Sequence, residues 1–464
     1  MENLKYGIND KPTLVKTIPL AFQHVLSAFA GTLSGALMLA TGMGMNSQDT
    51  ALVVQCAMLI CAVATIIQSV GIGPLGARLP IVTGGSYTLI APMVALSKDM
   101  SIGTVFGSSF VAAIALTVLG PLAVKYLHRF FSPVVTGSAV LAVGMCLMGS
   151  AFSYMVNNSA DPANEPQIWF FVGIALFTLV LTLVLDSFTK GFVQSCSILI
   201  AIVVGYVLCV VLGLVDFSAV GTASWLALPK PVNFGFGFNF SAIITLCIVH
   251  IATVMENIGD TTGVVSGVED RLPTKKELMR AVSGDGLGSI FAALFNGLPV
   301  ISGSPNVGII TMTGVGSRFV TLAGGIIIGI LAFFPKFAQV LALTPYPVLG
   351  GVLFVSFGTI AASGIRVIGM SRMSKRDITI LAMAIVVGIG GSAASASLSF
   401  LPSTVLTLIT GIPGTAMTAL VLNIILPRSK ADKEFEAKQA AENARLEAEA
   451  EAKVATQTQK SGKK

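Results

Sequence analysis

Leu298-Pro-Val-Ile-Ser-Gly-Ser-Pro-Asn-Val-Gly-Ile-Ile-Thr-Met-Thr-Gly314 is the stretch that decides the fold of this 464-residue chain. It opens as an apolar, β-branched run, too short to cross a bilayer as a helix. Gly303, Pro305 and Gly308 interrupt it, and apolar and small residues then continue as in a helix. Proline suits the first helical position, where its missing N–H would have no partner. The stretch therefore predicts a short extended segment feeding a half-length helix that begins near Ser304 to Asn306. A helix start carries partial positive charge and free N–H donors, which suit an anionic or carbonyl-bearing ligand.

Leu79-Pro-Ile-Val-Thr-Gly-Gly-Ser-Tyr87 repeats this pattern through its first glycine, at an offset of 219 residues (298 less 79). Pro133-Val-Val-Thr-Gly137 and Pro347-Val-Leu-Gly-Gly351 echo each other at an offset of 214 (347 less 133). Chance similarity between Gly-rich membrane helices is the competing explanation. Two matches at nearly one spacing favour two homologous halves. Broken segments at corresponding places in two halves mark the substrate site of a secondary transporter. Ser86 and Tyr87 stand where Pro305 and Asn306 stand in the second half, so they should begin the opposing half-helix. They would offer backbone N–H groups and, in Tyr87, a ring able to stack on a flat ligand. Packing is the alternative role for both.

Composition agrees with a membrane setting. The chain is 54% hydrophobic and 11% charged, where a soluble protein carries about a quarter charged residues. The lipid bilayer is thus its surroundings. The net charge of +6 does not indicate a nucleic-acid partner, because the basic residues sit in short loops between apolar runs. Six cysteines fall inside apolar runs without metal-ligand spacing and read as small buried hydrophobes. No nucleotide loop, metal cluster or nucleophile–base pair is evident, so neither an enzyme nor a cofactor is expected.

Apolar segments follow at about 17–41, 50–73, 79–97, 103–124, 132–152, 168–186, 192–214, 240–264, 280–297, 299–316, 319–341, 344–362, 375–394 and 399–426. This predicts an all-α polytopic membrane protein of about fourteen segments, with short strands and half-helices in segments three and ten. Residues 1–16 form a polar cytoplasmic lead, 17–214 and 240–426 two seven-segment repeats, 215–239 a linking loop, and 427–464 a charged tail. An odd number of segments per half forces inverted topology. Arg78, Lys125, Arg271, Arg280, Arg318 and Arg376 fall in loops on the side of the N-terminus, and few basic residues fall opposite. The positive-inside rule then places both termini in the cytoplasm of an inner-membrane protein.

Ionisable residues inside spanning segments are expensive and mark sites. The eighth segment holds His250, Glu256, Asn257 and Asp260. Glu256 and Asp260 are four apart and share a helical face. Carboxylates that close repel, so one should hold a proton at neutral pH, as proton-coupled transport requires. Capping of broken backbone is the alternative, and it weighs more for Asp260 than for Glu256. Asp285 is read as lying near the start of the ninth segment, where it would serve the helix dipole or bind directly. His24, after Gln23 near the cytoplasmic end of the first segment, reads as a hydrogen-bonded structural group or a ligand contact. His250 has the same two readings and ranks lower.

These residues resemble the nucleobase–ascorbate transporter family, also called the second nucleobase–cation symporter family, and in particular its bacterial xanthine and uric acid permeases. Pro305-Asn306-Val-Gly308-Ile-Ile-Thr-Met-Thr313-Gly314 fits the family signature. Gln23-His24, Ser132-Pro-Val-Val-Thr-Gly137, Glu256-Asn-Ile-Gly-Asp260 and Ser283-Gly-Asp285-Gly extend the likeness over the membrane part. The resemblance implies two inverted seven-helix repeats, core and gate domains, a homodimer, and proton-coupled uptake of purine or pyrimidine bases with the base at Glu256. Two departures stand out. The first signature position is Pro305 rather than the Gln or Glu of purine or uracil relatives, as in the ascorbate branch. Ala36 stands where relatives carry a mid-helix proline. Xanthine or uric acid is the leading substrate, with sodium as a possible replacement for the coupling proton. Uracil, ascorbate or another organic anion is the alternative on the same fold. A sulfate-transporter-type anion exchanger is the alternative of a different class.

Overall fold

In the computed structural model of the chain, the described residues are 4–127, 130–156, 165–269, 271–369 and 373–434, with 437, 438, 441, 445 and 448 beyond them. The side chains of 26–30, 304, 305, 308, 311 and 312, among others, lie outside the description. Most of the charged tail also falls outside it.

Within a bilayer a backbone must satisfy its own polar groups, so long apolar runs become helices. The principal helices are α1 (Leu14–Gly42), α2 (Ser47–Val70), α3 (Ile90–Asp99), α4 (Ile102–Leu127), α5 (Pro133–Met155), α6 (Glu165–Phe188) and α7 (Ser197–Val211). After a largely irregular link come α8 (Phe240–Glu269), α9 (Lys275–Leu294), α10 (Ser304–Thr313), α11 (Arg318–Leu331), α12 (Tyr346–Ile368), α13 (Lys375–Ile385) and α14 (Gly411–Ile425). Two three-residue strands, β1 (Thr83–Gly85) and β2 (Val300–Ser302), precede α3 and α10. Among the described residues seven helices are long and apolar enough to span a membrane, and an eighth span arises if α11 and Pro335–Ala342 count as one. The chain is a helical, multi-pass membrane protein.

Several expected segments are broken. The eleventh bends by 92° between α11 and Pro335–Ala342, where Pro335 begins the second piece. The fourteenth divides into Ser403–Ile409 and α14 at Gly411, which has φ 61°. The N-terminal lead is more than a polar flank. Tyr6 bridges to Val315, and Ile8 is buried among Leu79, Ile81, Val265 and Ile310.

Packing separates two groups of helices. In one, α4 lies on α9, α2 on α11, α1 on α11 and α8 on α4; in the other, α5 lies on α12 and α14, and α6 on α12. Packing partners recur at a shift of seven: α4 with α9 answers α11 with α2, and α1 with α11 answers α8 with α4. The α5–α12 contact is the most extensive, and glycine permits it. A Cβ on Gly144 would lie 2.4 Å from the Phe357 carbonyl oxygen, so the backbones touch as small-residue interfaces allow.

Candidate substrate site

The site is built on the strand pair. β1 and β2 run antiparallel with Thr83 opposite Ser302, which is its counterpart at the 219-residue offset. The ladder extends through Gly303 N–H to Val82 O at 2.9 Å and Ser86 N–H to Pro299 O at 2.7 Å. β1 is pinned by Thr65, whose hydroxyl lies 3.1 Å from that of Thr83, and by Cys61, which donates to Thr83 O. Because the strands are antiparallel, the chain leaves the ladder for its two half-helices at opposite ends. Ser86 precedes a 3-10 turn, Tyr87–Leu89, which runs into α3; Gly303 precedes α10, with Pro305 in its first turn. α8 packs against both starts.

Glu256 of α8 is 6% exposed and accepts from Thr88 Oγ1 at 2.9 Å. Thr88, fully buried in the 3-10 turn, was not singled out in the sequence, since one threonine in an apolar run carries no pattern. Ser86 is fully buried, and its hydroxyl has no partner among the described residues. The Tyr87 hydroxyl donates to Gly31 O at 2.9 Å and lies 2.6 Å from Ser34 Oγ, which ties the turn to α1. Its ring meets Phe357 of α12 edge-on at 5.5 Å, so it bridges the two helix groups.

Asn306 plays a positional role. Its Nδ2 donates to Pro80 O at 2.6 Å, which turns Oδ1 towards His24 Nδ1 at 2.8 Å. An amide oxygen accepts only, so that ring nitrogen carries the hydrogen. His24, 1% exposed, is therefore a strut between α1 and α10. The Pro305 side chain lies outside the described residues.

Asp285 requires a correction. It does not lie near a helix start but at the middle of α9, because a capping box of Thr274 and Glu277 begins that helix ten residues earlier. There it accepts from Gln68 Nε2 at 2.6 Å, from Asn257 Nδ2, and from Ser302 N–H at 3.0 Å. Gln68 in turn accepts from Ala77 N–H at 2.9 Å. Asp285 thus joins α2, α8 and β2, and a carboxylate with that many donors is held firmly in place. Asn257 and Gln68 are the partners that sequence reading left unassigned.

Asp260 lies one turn beyond Glu256 on α8 and is 8% exposed. His250 is buried further along the same helix, with Nδ1 3.2 Å from Thr253 Oγ1. Ala36 lines a small cavity with Thr32, Gly85 and Leu298, beside the strands. The arrangement brings together a buried carboxylate, two helix starts and an unspent hydroxyl. It suits a ligand that carries both N–H donors and carbonyl acceptors.

Comparison with known proteins agrees. Residues 15–397 match the Permease family. A Clostridium perfringens protein described as a candidate purine permease is 34% identical over 443 residues, covering 94% of this chain and 95% of the relative. The xanthine permease of Bacillus subtilis is 32% identical over 416 residues, covering 88% and 93%. The uric acid transporter of Escherichia coli is 30% identical, covering 88% and 86%. Among solved structures, the murine solute carrier 26 family member A9 anion transporter in the inward-facing state superposes with a TM-score of 0.62. It is 12% identical and covers 91% of this chain and 69% of the other, a likeness of fold alone. The whole-length match and the relatives lead to one conclusion: the chain belongs to the Permease family and is a transporter, not an enzyme.

Proposed function

We propose that this permease takes up a purine base, xanthine or uric acid, together with a proton across the cytoplasmic membrane. The observation that carries this reading is the buried Glu256 carboxylate, held by Thr88 where the two half-helices begin. An oxopurine has ring N–H groups for that carboxylate and carbonyls for the N–H groups at the helix starts. The relatives named above supply the substrate class. Protonation of Glu256 couples binding to the proton gradient, with Asp260 one turn away on the same face. Ser86 and Tyr87 line the first half-helix start, and Asn306, His24 and Asp285 hold the second start and the strands in register. The α1–α4 and α8–α11 group, drawn from both inverted repeats, moves against the α5–α7 and α12–α14 group, exposing the site to each side in turn. Both termini face the cytoplasm, and the transporter works as a homodimer.

Pro305 supports a second reading on the same fold, a uracil, ascorbate-like or other organic-anion symporter, because it offers no side-chain hydrogen bond to a base. A competition panel decides between them. Labelled xanthine uptake in transport-deficient cells should be suppressed by unlabelled xanthine and urate, and not by uracil, ascorbate or sulfate. Suppression by ascorbate or uracil in place of urate would overturn the purine assignment. Accumulation that needs sodium and survives a protonophore would overturn the proton.

A further inference from the structure

Three arginines from distant parts of the chain converge on the turn that follows α2. Arg318 donates from Nη1 to Ser69 O at 3.1 Å, and Arg280 from Nη2 to Gly73 O at 2.7 Å. Arg78 folds back across Gly71, where a Cβ would lie 2.6 Å from its Cγ and 2.8 Å from its Nε. Only glycine leaves that path open, and Gly71 also has φ 71°. Three guanidinium groups thus share residues 69–73. The Arg78 charge acts against both of the others.

The cluster is fixed rather than incidental. Arg78 has φ 60°, uncommon for a residue with a side chain, and its N–H is held by Gln68 O at 2.8 Å. Among the described residues no ion pair joins a carboxylate to Arg78, Arg280 or Arg318, in contrast to Arg271 and Arg376. Like charges held close without a counter-charge repel, and a bound anion removes that cost. A guanidinium has five donors in a planar fork suited to phosphate. Arg280 places one of them on Gly73 O, and Arg318 places two, on Ser69 O and Asn9 Oδ1.

The neighbouring surface is apolar. Ile72 and Leu75 close a tight turn by reciprocal backbone bonds of 2.7 and 2.9 Å. Val70 is 43% and Ile72 56% exposed beside the arginines. Cations next to exposed aliphatic side chains at the end of membrane helices match the boundary between phosphate headgroups and acyl chains.

We propose that Arg78, Arg280 and Arg318 bind the phosphate of an anionic phospholipid, with Val70 and Ile72 against its acyl chains. Because the three arginines belong to the approach to β1, to α9 and to α11, the bound headgroup clamps the elements that carry the strand pair. The leaflet follows from the topology proposed above, but the binding does not depend on that topology or on the substrate.

Purified full-length protein in detergent, titrated with dioleoyl phosphatidylglycerol, dioleoyl phosphatidylcholine or inorganic phosphate, tests this by native mass spectrometry and thermal unfolding. The wild type should retain phosphatidylglycerol and unfold at higher temperature with it, and neither phosphatidylcholine nor phosphate should do the same. The triple variant Arg78→Gln, Arg280→Gln, Arg318→Gln should lose affinity by about fivefold for each arginine removed. A control with Lys275→Gln, Lys276→Gln and Lys375→Gln removes equal charge elsewhere and should behave as wild type. Should the triple variant fail to fold, Arg78→Gln alone, whose residue is exposed, should still lose about fivefold. Equal retention in wild type and the arginine variant, or equal loss in the lysine control, overturns the site. Stabilisation by phosphate alone equal to that by phosphatidylglycerol overturns the lipid.

Discussion

At the start of the first half-helix the Ser86 N–H donates to Pro299 O, 2.7 Å away. At the start of the second, the counterpart of Ser86 is Pro305 and the counterpart of Pro299 is Pro80, each at the offset of 219. Proline has no N–H, so that bond cannot form. Pro80 O accepts instead from the side chain of the next residue, Asn306 Nδ2, at 2.6 Å. Both starts also reach α1, the first through Tyr87 to Gly31 and Ser34, the second through Asn306 to His24. The difference lies in what remains. At the second start Asn306 spends its side chain on scaffold, whereas the first keeps the Ser86 hydroxyl unspent and presents Thr88 to Glu256. On the function proposed above, recognition by side chains falls to the first half-helix start and to Glu256 of α8, and the second half-helix start contributes backbone.

The largest effect is expected at Glu256, the buried carboxylate that Thr88 holds. Glu256→Ala should reduce xanthine uptake at least about thirtyfold, since losing a buried charged partner costs roughly 2–5 kcal/mol. Uptake within a few-fold of wild type, at equal surface expression, would place the base elsewhere.

Asn306→Ala comes next, because it removes the bonds that Asn306 makes to Pro80 O and to His24 Nδ1. An unsatisfied buried group costs about 1–3 kcal/mol, so the variant should unfold several degrees lower and transport poorly. Pro305→Ala restores an N–H where the first half has one, so Pro305→Ala combined with Asn306→Ala should recover part of the lost stability. A double variant no more stable than Asn306→Ala would mean that the two starts are not equivalent at this bond.

Thr88→Val keeps the shape of the turn and removes the donor to Glu256. A hydrogen bond to a charged group contributes about 1.5–3 kcal/mol, so KM should rise about tenfold or more and the pH profile of uptake should shift. A profile that does not move would reduce Thr88 to packing. The smallest effect is expected from Pro305→Gln, which supplies a side-chain amide at the second start. One net hydrogen bond of about 1 kcal/mol improves affinity several-fold at most, for xanthine and urate more than for uracil. Unchanged affinities for all three, with strong competition by ascorbate, would favour the organic-anion reading.

Much of the scaffold was legible because its causes are local. Glycine and proline interrupt segments three and ten, and the strands and half-helices lie there; the pair Thr83 and Ser302 falls at the offset read from the two motifs. Glu256 stood out because a carboxylate in an apolar run has few reasons to be there. Partners set by tertiary contact were not legible. Thr88 and Gln68 look like any polar residue in a membrane helix until α8 and α9 are placed beside them. Asp285 was misplaced because its glycine-flanked position resembles a helix start, whereas the capping box at Thr274 starts α9 in the charged loop. Ile8 and Tyr6 sit in a polar stretch, and only the return of the chain at Val315 shows what they pack against.

On the function proposed above, Glu256 binds the base and carries the coupled proton. Xanthine uptake into proteoliposomes under an imposed pH gradient, acid outside, tests it most directly in wild type and Glu256→Gln. Wild-type vesicles should accumulate xanthine above equilibrium and lose that accumulation with a protonophore, and Glu256→Gln vesicles should not accumulate it at any gradient. Glu256→Gln vesicles that accumulate xanthine like the wild type would contradict it.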